Sequence, residues 1–298
     1  MILSEAEFHE ASTLGEASEM LAKFGSEARL MMGGTDLLVD LKKGRFRTSH
    51  IVSLNRIASL RGIAGGNDGV RIGALTTLSQ LARSSAIKER FPAVLDAVRE
   101  MATPQIRNLA TVGGNIASAV PCADLPPMLM VMKARVTLWS RSGERILPLE
   151  AFFTGPRQSV RRDDEVLTEI FIPHSPARFG AAYARFSLRE ANAIAVAAVA
   201  AGVVLGEDGR VREARIGLCA VAPTSKLVEA ATLLVGQALD EVSIGRAAAA
   251  AVEASQPISD MRGQADFRRA LVDALTRRAL VTAGERAQAE ERRSSPVH

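Results

Sequence analysis

Leu30-Met31-Met32-Gly33-Gly34-Thr35-Asp36-Leu37 and Thr111-Val112-Gly113-Gly114-Asn115-Ile116-Ala117-Ser118-Ala119-Val120-Pro121-Cys122-Ala123-Asp124-Leu125-Pro126-Pro127 decide how this chain folds. In the first stretch, Arg29 to Met32 predicts a short buried strand that Gly33-Gly34 ends. Thr35-Asp36 then stands where a residue caps a helix, over Leu37 to Lys43. Strand, glycine turn and helix start in series expose backbone N–H groups that no Cβ shields, with a helix dipole behind them, which is the geometry that holds phosphate. Thr111 to Asn115 offers a second turn of the same kind. Asp124 before Leu-Pro-Pro predicts the start of an apolar helix to about Met132. Neither turn is a Gly-x-Gly-x-x-Gly fingerprint or a P-loop, so a Rossmann site and an NTPase are disfavoured.

Working outward, Thr13-Leu14-Gly15-Glu16 reads as a capping box that opens a helix to about Phe24. Ile51 to Leu54 and Val70 to Gly73 read as strands, so small βα units are expected to alternate. A helix from Pro92 to about Met101 follows, then a hairpin of Ala134 to Ser140 with Arg145 to Leu149, and a strand from Glu165 to Ile172 that Pro173 ends. Beyond Pro176 the texture becomes Ala/Val-rich, with strands at Ala193 to Leu205 and Val211 to Cys219 and helical patterns to about Ala283. A domain boundary is expected near Ser175 to Arg178, giving units 1–176 and 177–283. The polar segment from Gly284 to His298 is expected to be a flexible tail.

Composition narrows the classes. Of the 298 residues, 47% are hydrophobic and 23% charged, which suits a globular protein. A net charge of +4 with both signs interspersed does not suggest a nucleic-acid partner. The basic runs Lys42 to Arg47 and Arg157 to Arg162 read as solvated loops. Cys122 and Cys219 are too few for an iron–sulfur site in this chain. The opening residues lack a basic-then-apolar pattern, and Ala193 to Leu205 is shorter than the roughly 20 residues a bilayer span needs, so neither a signal peptide nor a membrane span is expected. Cytoplasm is the default compartment. His9, His50, His174 and His298 are scattered and read as fillers, so no metal site is expected. No Ser-His-Asp, Cys-His or paired-carboxylate constellation stands out, and no catalytic residue is assigned.

The two glycine segments resemble the FAD-clamping segments of the flavoprotein subunit family shared by xanthine dehydrogenase and carbon monoxide dehydrogenase. Glu165 to Pro173 and Arg185 to Ala195 are similar to later signatures of that family, in the same order. The resemblance runs from about Met1 to Ala283. It implies an α+β protein: a FAD-binding domain of the vanillyl-alcohol-oxidase type, made of two α+β subdomains, then a smaller α+β domain with a three-stranded antiparallel sheet. It also implies that FAD, held without a covalent bond, takes electrons from a small [2Fe–2S] partner subunit and passes them to an external acceptor. Molybdopterin would sit in a large partner subunit, in a heterotrimer or its dimer. Carried over as FAD contacts are Leu30 to Leu37, Thr111, Gly113, Gly114 and Asn115, with Asp124 matching a polar cofactor contact and Leu167 and Arg185 matching positions near the flavin. Arg185 stands where relatives often have Lys, and Met101 where an aromatic residue occurs in the animal enzymes.

Other readings stay open from the residues alone. Asp124, Thr35 and Asp36 suit helix caps, Leu167 suits a strand core, and Arg185 suits a surface position. A stand-alone FAD oxidase or reductase needs the same domain, although the first turn lacks the histidine that many use for covalent attachment. A cofactor-free scaffolding subunit would keep the glycine turns as mere turns. The variant family members that reduce hydroxybenzoyl-CoA and carry a [4Fe–4S] loop are excluded by the cysteine count.

Overall fold

A computed structural model describes residues 5–190 and 192–294, with side chains through residue 289. The chain opens with β1 (Glu7–Glu10), α1 (Leu14–Phe24), β2 (Ala28–Met31), α2 (Leu37–Lys42) and β3 (His50–Ser53). These strands form a parallel sheet in the order β1-β3-β2, with α1 packed on it. Thr13 caps α1 by accepting the Glu16 N–H at 3.1 Å, and the Glu16 carboxylate accepts the Ser12 N–H at 2.7 Å, one residue short of the predicted box.

The next strands depart from the expected βα alternation. β4 (Ile63–Gly65) and β5 (Gly69–Gly73) form an antiparallel hairpin, because the Gly-Gly-Asn-Asp-Gly turn between them reverses the chain directly. A run of helices follows: α3 (Leu78–Arg83), α4 (Ser85–Arg90), α5 (Pro92–Glu100), α6 (Pro104–Arg107), α7 (Val112–Ala117) and α8 (Leu125–Val131). Then come the hairpin β6 (Arg135–Ser140) and β7 (Gly143–Pro148), the short pair β8 (Phe153–Gly155) and β9 (Gln158–Ser159), and β10 (Val166–Pro173). The second sheet has the order β4-β5-β10-β6-β7 and is antiparallel throughout. One hydrophobic core, from Val52 and Leu54 through Leu125 to Ile172, joins both sheets and these helices.

The third sheet holds β11 (Phe179–Ser187), β12 (Ala195–Leu205), β13 (Val211–Cys219) and β14 (Lys226–Val228), all antiparallel. It has four strands where three were expected, because Lys226–Val228 adds a three-residue edge too short for a periodic signal. All eleven residues of β12 are buried, with α8 against it and the helices α9 (Glu241–Ala254) and α10 (Ala265–Ser294) completing a second core. Both faces of β12 are covered, which accounts for its unbroken Ala/Val run.

Helix α10 also corrects the expected tail. It continues through Gly284 to Ser294, and residues 295–298 lie outside the described residues. Ala283 and Ala287 are fully buried against β11, where a Cβ on Gly180 would overlap their backbone. The Arg286 guanidinium donates to Asp96 of α5 and to the Ala181 carbonyl at 2.7 Å. Ala283 and Ala287 thus anchor a segment whose composition is otherwise polar. Replacing Arg286 with Ala should therefore cost about 1–3 kcal/mol, by leaving Asp96 and a strand carbonyl without their donor. Denaturant midpoints of the two proteins check this, and an unchanged midpoint would mean that the helix end contributes nothing to stability.

Candidate functional site

A cleft of about 710 Å³ runs between the first glycine turn, the start of α7, the β8–β9 region and β10. Leu30, Met31, Met32, Gly33, Gly34, Thr35, Asp36 and Leu37 all line it, with Thr111, Gly114 and Asn115 opposite and Leu167 buried in its wall. Two loops 79 residues apart in sequence meet here, and Thr111 Oγ1 donates to Met32 Sδ at 3.7 Å. Gly33 makes the contact possible, because a Cβ there would overlap the Leu109 carbonyl. Gly34 has φ +72°, the left-handed region that favours glycine.

The two turns are not equivalent donors. Among the described residues, the amides of Gly33, Gly34, Thr35 and Asp36 donate to no protein acceptor, so the first turn is a set of available N–H groups. In the second turn the four amides that follow Thr111 are committed: Val112 to Thr76 O, Gly113 to Ala74 O, Gly114 to Thr111 Oγ1 and Asn115 to Thr111 O, at 2.9 to 3.0 Å. Thr111 is the N-cap of α7, and its hydroxyl occupies the place a ligand phosphate would need. What the second loop presents instead is the Asn115 side chain, whose Oδ1 is buried and has no hydrogen-bond partner. Gly113 does not line the cleft. Its missing side chain makes room for Ala74, which a Cβ would approach to 2.5 Å.

Asp36 and Asp124 precede helices, yet neither side chain makes a cap hydrogen bond. Asp36 lines the cleft with Ser118, whose hydroxyl donates to the Asn115 carbonyl at 3.0 Å, and burial raises the Asp36 pKa against the opposing influence of Ser118 and Arg157. The loops read as solvated also contribute. Phe46, Arg157, Gln158, Ser159 and Arg161 line the cleft. Arg157, held at φ +60°, and Arg45 both bond the buried Asp40 carboxylate, with Arg45 at 2.6 Å. Arg161 donates to the Glu165 carbonyl at 2.8 Å, and burial lowers its pKa. The basic residues of both runs stay largely exposed, as read, except Arg161, which is partly buried.

Met101, Asp124 and Arg185 form a different constellation. Arg185, whose side chain is only 2% exposed, donates to the carbonyls of Glu100 and Ala193, and its Nε lies 3.3 Å from Asp124 Oδ1. The surface reading of Arg185 is thereby overturned, since backbone carbonyls satisfy its charge indoors. Tyr183 Oη donates to the same Asp124 oxygen at 2.7 Å. Burial pushes the Asp124 carboxyl up to about 6, against the opposing pull first of Arg185 and then of Tyr183. Met101 is buried beside this group, its carbonyl accepting from Arg107 at 2.5 Å.

Residues 4–175 match the FAD binding domain in molybdopterin dehydrogenase, and residues 181–283 match the CO dehydrogenase flavoprotein C-terminal domain. The chain belongs to this flavoprotein family. It is 34% identical to the carbon monoxide dehydrogenase medium chain of Hydrogenophaga pseudoflava, over 96% of this chain and 99% of that one. It is 32% identical to the xanthine dehydrogenase FAD-binding subunit of Escherichia coli O157:H7, over 92% and 94%. In three dimensions it superposes on a chain of carbon monoxide dehydrogenase from Hydrogenophaga pseudoflava with a TM-score of 0.93, covering 96% of this chain and 99% of that one at 34% identity. A chain of quinoline 2-oxidoreductase from Pseudomonas putida 86 gives 0.89 at 27% identity, with 96% and 99% covered. This flavoprotein is thus a FAD-binding oxidoreductase subunit of the kind found in molybdenum hydroxylase complexes.

Two outcomes follow for the flavoprotein. Gly33→Ala should push the first turn away from Leu109, costing about 1–3 kcal/mol and lowering flavin per chain. Absorbance ratios and unfolding midpoints test it, and wild-type values for both would show that the loops do not need this contact. Asp124 holds its proton to about pH 6 in the fold against 3.8 ordinarily. Between those values the folded state binds more protons than the unfolded one, so stability falls as pH rises through the window, by on the order of 3 kcal/mol in total. Asp124→Asn should flatten that slope between about pH 4 and 6, and an identical slope in both proteins would contradict the assignment.

Proposed function

We propose that this chain holds one FAD without a covalent bond in the cleft between the two loops, and works as an electron relay that depends on partner chains. The observation that carries the reading is the unengaged row of amides from Gly33 to Asp36 facing the orphaned Asn115 Oδ1. The amides suit the oxygens of a diphosphate, which accept hydrogen bonds from N–H donors. Asn115 Oδ1 suits a hydroxyl or amino donor on the rest of the cofactor. Leu30, Met31, Met32, Leu37 and Leu167 supply apolar walls, and Thr35 and Thr111 line the same space. Asp124, Arg185 and Met101 do not line this cleft; they form a separate buried group in which a fixed guanidinium lies beside a carboxyl that burial raises to about 6.

Bound FAD would supply one- and two-electron chemistry, linking a small [2Fe–2S] subunit as electron source to an external acceptor. The protein orients the cofactor, excludes water from one wall and holds charges at fixed positions. The molybdenum cofactor belongs, on this reading, to a large partner subunit in a heterotrimer or its dimer, in the cytoplasm. Residues 1–176 would form the vanillyl-alcohol-oxidase-type domain with its two subdomains, and 177–283 the smaller domain. Two separate sheets over one core in the first part support that division. No helix among the described residues is long and apolar enough to cross a membrane.

The absence of histidine and cysteine from the cleft lining favours release of the flavin by acid. Precipitation with acid should leave about one FAD per chain in the supernatant; flavin in the pellet contradicts non-covalent binding. Asn115→Leu should weaken FAD binding roughly 10–100-fold, by leaving a cofactor donor without its acceptor. The relay reading is tested by adding the oxidisable substrate of the complex. Flavin bleaching is expected only when the cluster and molybdenum subunits are present, and turnover by the separated chain would favour a stand-alone flavoenzyme.

A further inference from the structure

The parallel register of the first sheet brings together three side chains that the flavin site does not use. Glu7 pairs with His50 on the neighbouring strand, and His9 lies two residues further along β1, so all three point to one face. His9 Nε2 lies 3.1 Å from His50 Nδ1, and Glu7 Oε2 lies 3.6 Å from His9 Nε2 and 3.5 Å from His50 Nδ1. Phe24, the last residue of α1, stacks on both imidazoles, with ring centroids 3.8 Å from His50 and 4.8 Å from His9.

We propose that Glu7, His9 and His50 form a binding site for a divalent transition-metal ion of the Zn2+ class. The three donor separations decide it. A tetrahedral ion with bonds of about 2.0–2.1 Å requires its ligand atoms to sit about 3.3–3.4 Å apart. The observed triangle of 3.1, 3.5 and 3.6 Å is that face of a tetrahedron already assembled. Two imidazoles and one carboxylate are the ligand types that suit zinc, copper, nickel or iron, whereas Mg2+ and Ca2+ prefer oxygen alone. One carboxylate with two neutral rings gives the site a net negative charge, which favours a dication. The stacked Phe24 ring restrains both imidazoles, so little side-chain freedom is lost on binding. Without metal the two rings share a hydrogen bond; binding needs only the tautomer that carries its proton on the ring nitrogen facing away from the ion.

Placement says what such an ion would do. The histidines are about one-fifth exposed and Glu7 73% exposed, so an ion can enter from solvent and keep a water in the fourth position. β1 is the edge strand and His50 belongs to the central one, so the ion would pin the edge to the sheet. His50 begins β3, whereas the Gly33-Gly34 turn follows the far end of β2, so the ion and the flavin occupy opposite ends of this sheet.

The test uses the tag-free, flavin-loaded chain. Zn2+ titrated against a chromophoric chelator should bind at one equivalent, and chelator should lower the unfolding midpoint of the metal-loaded protein. His9→Gln and His50→Gln should each weaken binding by at least the roughly 10–100-fold that loss of a mere outer-shell partner costs, with flavin content unchanged. His174→Gln, away from the site, should bind as wild type. Co2+ added to the wild-type chain should give the visible bands of a low-coordinate N/O centre, an arm that stands even if the variants fold poorly. Absence of Zn2+ binding, binding unaltered by both histidine variants, or a thiolate charge-transfer band placing Co2+ at a cysteine would each overturn the proposal.

Discussion

The structure around the cleft depends on a contact made where a side chain is missing. The Gly33 backbone lies directly against the Leu109 carbonyl, and Gly113 likewise lies against Ala74. Close backbone approach of this kind cannot be replaced by side-chain packing, because any Cβ would have to displace main chain on the other side. It joins the turn that leaves the parallel sheet to the loop that enters α7, and thus sets the width of the cleft. The committed amides of the second loop act in the same direction. They tie Val112 and Gly113 to the carbonyls of Thr76 and Ala74, making that wall rigid, while the amides of the first turn stay available. One loop is a fixed jaw and the other carries the donors.

Electrostatics follow the same division. Near the first turn the buried Asp40 is neutralised by Arg45 and Arg157, so that wall presents little net charge of its own. Outside the cleft lining, Arg185 sits indoors on two carbonyls beside Asp124, whose carboxyl burial pushes up to about 6. A charge held by backbone dipoles keeps its position without a full counterion.

Much of this was legible in the sequence, and the limits have physical causes. The first glycine turn, the α1 cap, the β6–β7 hairpin and β12 each announce themselves through local chemistry: a capping residue, a turn, a period or an unbroken apolar run. The commitments of the second turn were not legible, since whether an amide is free depends on Thr76 and Ala74 more than thirty residues upstream. The Arg157 bond to Asp40 and the burial of Arg161 and Arg185 were hidden for the same reason, because charge in a sequence says nothing of the carboxylate or carbonyls that will receive it. The end of α10 was misread because its polar outer face hid the small residues Ala283 and Ala287 that pack on Gly180. Glu7, His9 and His50 look scattered until strand register places them side by side.

On the proposed reading the first turn, and not the second, supplies the backbone donors for the cofactor. A crystal structure of the chain reconstituted with FAD tests it most directly. The account predicts diphosphate oxygens at ~3 Å from the amides of Gly33 to Asp36, with the Val112 to Asn115 amides still bound to their protein acceptors and Asn115 Oδ1 accepting from the cofactor. A diphosphate seated on released amides of the second turn, or outside the cleft altogether, would contradict it.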